Sequence, residues 1–467
     1  MVSGSHIHLL INTLTKKQSS VDQNLKINDL PTITTLEVFK NRKRILSNPL
    51  PFHRENFEKF GDIFRVKTGR KSPIIFTRNP VIIKHILQKQ HKNYHKSPLQ
   101  TVDLAKYIGK GILTTNGEHW RTHRRMVQPA FHKKKLAGLI HIMKSAITDE
   151  LKRIENNTTQ DIFPLMGDLA FQVVAKSLFS RSDIRKRMEK LQKITEVNQK
   201  MLIKEMRQPY LKWWFKLSGE IKKHLDLSKK GQDILNGIIE ERIASGEEKD
   251  DLLDMLLAAR YEDGTSMSRK QLIDEVLILF TAGHETTANA ISFTIYLLAK
   301  HPEKQEKVFL EVSNVIFDNE DLIGSLGQLQ YTKQCIEEAM RLYPPAYVID
   351  RISITEDTIE GLDIPKNTLL LMSVYEIHRH KNYWKDPEVF QPERFVPENK
   401  KDYTDYYYPF GAGPRMCVGN NFAMYEMVLT IAEIVKNYRI ATPLSSVTIN
   451  PLISLKPKEV PINFSKR

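Results

Sequence analysis

Residues 268–300 restrict this chain's fold more than any other stretch. Ser268-Arg-Lys-Gln271 has the spacing of a capping box, apolar residues recur at helical intervals behind it, and His301-Pro302 stops the run. About thirty residues of helix span about 45 Å, enough to cross a whole domain. The portion 276–298 is the most apolar segment of the later chain, so it reads as a buried core helix with others packed round it. Helical periodicity also fills 118–261, interrupted near Pro129, Pro164 and Pro209. Shorter helices are expected from Pro80 to about residue 87, over 329–342 and over 421–435. β-rich runs are few. Residues 62–67 and 74–77 flank a turn at Gly69-Arg-Lys-Ser72 and read as a hairpin, and short strands follow around 347–354 and 368–374. Residues 381–409 read as loop. The expected fold is mainly α with a small β component.

No Pro/Gly/Ser-rich linker, repeat or low-complexity block divides the 467 residues. One domain is therefore expected over 31–467, preceded by a flexible N-terminal segment over 1–30. The apolar run His8-Leu-Leu-Ile11 is too short to span a bilayer, and no later stretch reaches about 20 apolar residues. No transmembrane anchor is expected. The two cysteines lie far apart and offer no disulfide framework, which points to a reducing, cytoplasmic setting. A net charge of +15 suits an anionic surface or an acidic protein partner. No basic tail or nucleic-acid motif concentrates that charge, so no nucleic-acid binding is expected.

One of the cysteines, Cys417, lies in Phe410-Gly-Ala-Gly-Pro-Arg-Met-Cys-Val-Gly419, just ahead of the helix at 421–435. A thiol at a helix start meets unpaired N–H groups and the positive end of the dipole, which favour the metal-binding thiolate. The glycines would let the backbone come close to something flat and bulky. Cys417 is thus a candidate axial ligand of a haem iron; taken alone, the segment reads as a buried cysteine before an ordinary helix. Ala282-Gly-His-Glu-Thr-Thr287 places an acid and two alcohols in the middle of the apolar helix. Burying Glu285 unpaired is costly, and threonines tend to bond back to the preceding turn and loosen it. The segment reads either as a polar kink or as a proton relay. A zinc site at His284-Glu285 fails, because H-E-x-x-H needs a histidine where Ala288 stands.

The pattern F-x-x-G-x-R-x-C-x-G, met by Phe410, Gly413, Arg415, Cys417 and Gly419, resembles the cytochrome P-450 family of haem-thiolate monooxygenases. Over roughly 35–460 further motifs come in that family's order: Trp120-Arg-Thr-His-Arg124, the long-helix motif, Glu338-Ala-Met-Arg341 and Pro392-Glu-Arg-Phe395. The resemblance implies a P-450 fold with the long helix crossing over the haem. It implies that the Cys417 thiolate binds haem b, with Phe410 packed against the ligand loop. Arg415, Arg351, and Arg124 with Trp120, would grip the haem propionates. Glu285 and Thr286 would be the acid–alcohol pair that delivers protons, with Ala282 and Gly283 leaving room for dioxygen. Glu338, Arg341 and Arg394 would form a buried structural network, although spacing alone makes Glu338–Arg341 an ordinary surface pair. His123 and His378 are not assigned as ligands, and Cys335 is expected simply to pack in its helix.

The implied reaction inserts one atom of dioxygen into a C–H bond of a small organic substrate, as hydroxylation or oxidative demethylation. The rivals are a peroxide-dependent or rearranging haem-thiolate enzyme, against which Glu285 and Thr286 count, and a non-catalytic haem sensor. No G-x-G-x-x-G follows a predicted strand. NAD(P)H would therefore act only indirectly, through a reductase and a separate acidic ferredoxin or flavodoxin-like donor. Arg124, Arg125, Lys133, Lys134 and Lys135 would form the docking face. The poor match near the N-terminus resembles the family's soluble, bacterial-type members without a fused reductase. Segments 97–115, 200–217, 344–352 and 446–454, carrying Tyr107, Leu202, Lys204, Arg207, Tyr347 and Ile453, are expected to line the pocket. They leave a lipid, a terpenoid or carotenoid, and a methylated sugar all open as substrates.

Overall fold

The computed structural model describes residues 25–67, 74–181, 183–318 and 320–467. The expected turn at 69–72 and the apolar run at 8–11 lie outside the described residues. Eight helices carry the site: α1 (Gly117–Val127), α2 (Lys133–Leu151), α3 (Ile162–Phe179), α4 (Arg185–Arg207), α5 (Glu220–Ser245), α6 (Arg269–Lys300), α7 (Gln330–Leu342) and α8 (Asn420–Asn437). The 32 residues of α6 reach about 48 Å. Its start is capped on one side only. Ser268 Oγ accepts the Gln271 N–H at 3.2 Å, while the Gln271 side chain donates to Lys110 and Glu275 instead of returning to Ser268.

α3, α5, α7 and α8 all pack against α6. Between Leu272 and Ala299 every residue of α6 is buried or half-buried except Ala282. By length and composition α3 could cross a membrane, but 72% of it is buried inside the protein, because it lies between α2 and α6. The break expected at Pro164 falls earlier. Asp161 caps α3 by accepting the Phe163 N–H at 3.1 Å, and Pro164 sits in the first turn, where a missing N–H costs no helical bond. The helix from Pro80 is shorter than expected, Pro80–Lys84, and a π turn at His85–Lys89 continues it.

One mixed sheet holds β1 (Thr32–Ile33), β2 (Ile63–Val66), β3 (Ile74–Thr77), β4 (Tyr94–His95), β5 (Val348–Ser353) and β6 (Leu369–Ser373), in the order β1-β2-β3-β6-β5-β4. β2 and β3 pair antiparallel, as the hairpin reading requires. His95 of β4 stands opposite Ile352 of β5, so Lys96 runs on beside Arg351. Nearer the C-terminus, β7 (Ile449–Pro451) and β8 (Leu455–Pro457) form an antiparallel hairpin. The hairpin is anchored at three points: Leu455 N–H to Pro345 O at 2.9 Å, Tyr347 Oη to Leu452 O at 2.7 Å, and the Arg207 guanidinium to Pro451 O.

Candidate functional site

Cys417 follows a 3₁₀ turn at Gly413–Arg415 and stands three residues before α8. Its N–H donates to Phe410 O at 2.9 Å, which closes the loop through the backbone of Phe410. Gly413 has φ +68°, and a Cβ there would overlap the Leu87 carbonyl oxygen. At Gly413 the close approach is to the chain's own backbone. Cys417 is exposed to solvent, yet protein atoms crowd round it so closely that burial dominates its thiol. The side chain thus faces a walled cleft. Burial pushes the thiol pKa up, and the Gly419 N–H and Arg124 pull it down without prevailing. The helix start alone does not make a thiolate; a bound metal ion would, by direct coordination.

Three cations meet beside this loop. Arg351 on β5 is buried, and its guanidinium donates to the Asp350 carbonyl at 2.7 Å. Arg415 donates to the carbonyls of His91 (2.9 Å) and Tyr94 (2.7 Å), lies 5.2 Å from the Trp120 ring, and keeps its Nε buried without a partner. Lys96 is buried too, donating to the Ile112 and Thr115 carbonyls. Burial and then Arg351 push Arg415 down to about 10. Burial, Arg351 and Arg415 push Lys96 well below the usual lysine value, against partial relief from Glu275 and Asp350. Burial lowers Arg351 as well. Crowded, desolvated cations destabilise a fold unless an anion joins them. A haem, with two propionates and an iron for Cys417, fits this donor set.

Arg124 is placed differently from Arg351 and Arg415. It donates to Met416 O at 2.8 Å and to Gln128 Oε1 at 3.0 Å, and its charge is felt at Cys417. Lys96 was not legible as part of the site. Nothing in Tyr94-His-Lys-Ser97 distinguishes a buried lysine from a surface one; only the β4–β5 register does.

On α6, Thr286 Oγ donates back to Ala282 O at 2.8 Å and Thr287 Oγ to Gly283 O at 2.9 Å, the back-bonding expected of threonine. Ala282 and Thr286 share one face of the helix, and Ala282 is exposed there. Gly283 does not share it. A Cβ there would lie 3.2 Å from Val174, so its bareness serves helix packing rather than space for dioxygen. Glu285 is buried and turned away from Thr286. Its Oε1 accepts from Ser454 Oγ and lies 3.3 Å from Lys456 Nζ. Burial would raise its pKa, but Lys456, Ser454, His284 and Gln199 together bring it below the usual carboxylate value. His284 bonds Phe280 O through Nδ1 at 2.9 Å and packs against Phe171, as a core histidine does.

Glu338, Arg341 and Arg394 lie together. Arg341 and Glu338 are fully buried and joined by two bonds of 2.7 and 2.8 Å. Arg394 adds a contact of 3.3 Å to Glu338, and the Gln391 N–H one of 2.8 Å. Arg341 also donates to the carbonyls of His378, Pro387 and Val389, so it fastens the 378–391 loop to α7. His378 accepts the Tyr408 N–H at 2.8 Å, and burial followed by Arg341 and Arg379 holds its pKa well down. His123 pairs with the buried Glu275 at 3.1 Å. Cys335 is buried in α7. No group of three or more metal-ligating side chains occurs among the described residues.

The four expected pocket segments come together in pairs. Tyr107 donates to Glu205, and Lys106 reaches the same carboxylate at 2.5 Å. Arg207 and Tyr347 both hold the β7–β8 hairpin. Lys204 is exposed and Leu202 buried. On the basic face, Lys133, Lys134 and Lys135 are exposed in the first turn of α2, whereas Arg125 pairs with Glu262 and Glu118.

The family model for cytochrome P450 matches residues 31–464. Rat cytochrome P450 4A2 is 31% identical over 76% of this chain and 73% of its own length. Arabidopsis protein LUTEIN DEFICIENT 5, chloroplastic, is 32% identical over 83% and 69%. Putative cytochrome P450 132 of Mycobacterium bovis is 28% identical over 85% and 88%. Animal, plant and bacterial relatives are about equally similar, so they do not single out a bacterial type.

Proposed function

The chain belongs to the cytochrome P450 family and is a monooxygenase of the oxidoreductase class, and from that premise we propose what it does with its site. It hydroxylates, or demethylates by hydroxylation, a C–H bond of a small organic substrate. The cluster of Lys96, Arg351 and Arg415 near the cysteine loop carries the reading, because those buried cations call for a dianionic cofactor that also offers a metal to sulfur.

Haem b, when bound, supplies thiolate-supported activation of dioxygen and insertion of one of its atoms. Cys417 would hold the iron, and Arg351, Arg415 and Lys96 the propionates. The cation–ring stack of Arg415 on Trp120 fixes that guanidinium. Ala282 and Thr286 border the dioxygen side, where the Thr286 hydroxyl can pass a proton inward by exchanging its bond to the Ala282 carbonyl. Arg207, Tyr347 and the β7–β8 hairpin border the substrate.

Electrons come from NAD(P)H through a reductase and an acidic ferredoxin or flavodoxin-like protein. Three exposed lysines in the first turn of α2 oppose the helix dipole, a local cost that a docking face explains. Two unpaired cysteines, one of them a proposed ligand, suit a reducing, cytoplasmic setting.

The test is the reduced carbon monoxide difference spectrum of the haem-loaded protein. A band near about 450 nm is expected, and its absence in the unsubstituted protein would rule out thiolate ligation. Product formed with NADPH, a donor and dioxygen separates the enzyme from a haem sensor. Turnover that needs peroxide and ignores the donor would favour the peroxide-dependent rival.

A further inference from the structure

Glu285 and Thr286, adjacent in sequence, do not touch. Thr286 faces the side on which Ala282 is open, and Glu285 points toward the C-terminal hairpin. Three elements converge on its carboxylate. Ser454, just before β8, donates its only hydroxyl hydrogen to Oε1. That leaves Ser454 Oγ to accept from Asn289 Nδ2 at 2.9 Å, one turn further along α6, and Asn289 is fully buried. The serine is thus oriented at both ends. Lys456 on β8 brings its ammonium within 3.3 Å of the same oxygen. Gln199 on α4 also favours the ionised carboxylate, more weakly. The titratable groups round Glu285 are His284 on its own helix and Lys456 on β8; Glu196 on α4 acts on the neighbouring His284.

Chain separation shows how far apart these parts start. Ser454 lies 169 residues from Glu285 and 165 from Asn289. A carboxylate in the middle of an apolar helix is unstable unless donors replace the lost water, and the donors come from the hairpin. Lys456 keeps about 16% of its side chain exposed, while Glu285 keeps about 11%. Both members of the pair thus keep a slight, similar contact with solvent.

We propose that Ser454 and Lys456 are positioning residues for Glu285. They hold its carboxylate on the hairpin side of α6, ionised beside the Lys456 ammonium. The hairpin is also anchored to Tyr347 and Arg207, so the strand that borders the substrate also sets the acid. The proposal rests on Glu285 belonging to the proton-delivering pair, but the positions of Ser454 and Lys456 hold without it.

The experiment is infrared difference titration of the haem-loaded full chain, with the Glu285 carboxyl signal assigned by its loss in Glu285→Gln. Lys456→Met is expected to raise the protonation midpoint of Glu285 by about one unit or more, a tenfold gain in proton affinity. Ser454→Ala should raise it less. Lys456→Arg should restore the original midpoint, which a merely structural lysine would not require. A midpoint unmoved in Lys456→Met, or one that Lys456→Arg leaves raised, overturns the proposal. Lys456→Gln serves if the methionine variant does not fold. The titration needs no turnover. If the unsubstituted protein makes no product with donor and dioxygen while the midpoint still follows Lys456, the enzymatic reading fails and the positioning role stands.

Discussion

Arg341 and Arg351 are both buried arginines, and their surroundings predict opposite behaviour. Arg341 satisfies two carboxylate oxygens and three carbonyls. Replacing it with Met leaves Glu338 charged in the interior and should cost about 3–5 kcal/mol, read by urea unfolding. Lys should rescue little, since one ammonium cannot reproduce the fork. Arg351 has a carbonyl of its own neighbour as its side-chain acceptor and sits among cations. Arg351→Leu should leave the haem-free chain as stable as before, or more so, while haem leaves the loaded protein several-fold faster. Loss of stability without faster haem release would contradict the cradle. Sequence made Arg341 visible through motif order and Arg351 through its place on the strand after Pro344-Pro345. It did not show Lys96, because burial of a lysine depends on a strand register set by residues more than 250 positions away.

The cysteine loop and the C-terminal hairpin decide the site at the level of elements. The loop needs Gly413 because φ is +68° and the Leu87 carbonyl fills the space where a Cβ would go. Gly413→Ala should cost about 1–3 kcal/mol in local strain or displace the loop. The expected readout is loss of the band near about 450 nm with α-helical circular dichroism retained. The ends of α6 and α7 were legible from Ser268, His301-Pro302 and Pro344-Pro345, because caps and prolines act within a turn or two. The break at Pro164 was misplaced because a proline in a first turn is tolerated. The tether of Glu285 to Ser454 and Lys456 was not legible at all: a short hairpin carries no signal of which helix it meets.

Across the whole molecule, charge and buried histidines set the response to conditions. Burial keeps His378 and His284 neutral, with both pKa values lowered. The unfolded chain takes up protons at about 6.5, so it binds more than the folded chain as pH falls below that value. The unfolding free energy should therefore drop with falling pH below about 6.5, and His378→Gln, which keeps an acceptor for the Tyr408 N–H, should flatten the slope. Against burial, its own backbone N–H, then Lys307, Lys304 and Tyr331, hold the Glu393 carboxyl at about 2. Its contribution exists above the ordinary carboxylate range and fades only as pH falls toward 2, so it does not account for losses between 6.5 and 5. With a net charge of +15 and an unpaired lysine turn on α2, Lys133→Glu/Lys134→Glu should raise KM for an acidic donor several-fold. The effect should shrink with salt and leave the carbon monoxide spectrum unchanged. An unaltered KM would move the docking face elsewhere.

Sequence by itself determined the family chemistry and the helical frame. Cys417, Glu285-Thr286 and Glu338…Arg341 declare themselves through local spacing, and α6 declares itself through its period and caps. Tertiary structure alone decided which cations gather near the cysteine loop, which way Glu285 turns, and what Gly283 and Gly413 pack against. Those outcomes depend on burial and on partners far away in sequence. A desolvated charge takes whatever neighbour the packing brings, and packing is set by the whole chain rather than by the segment that carries the charge.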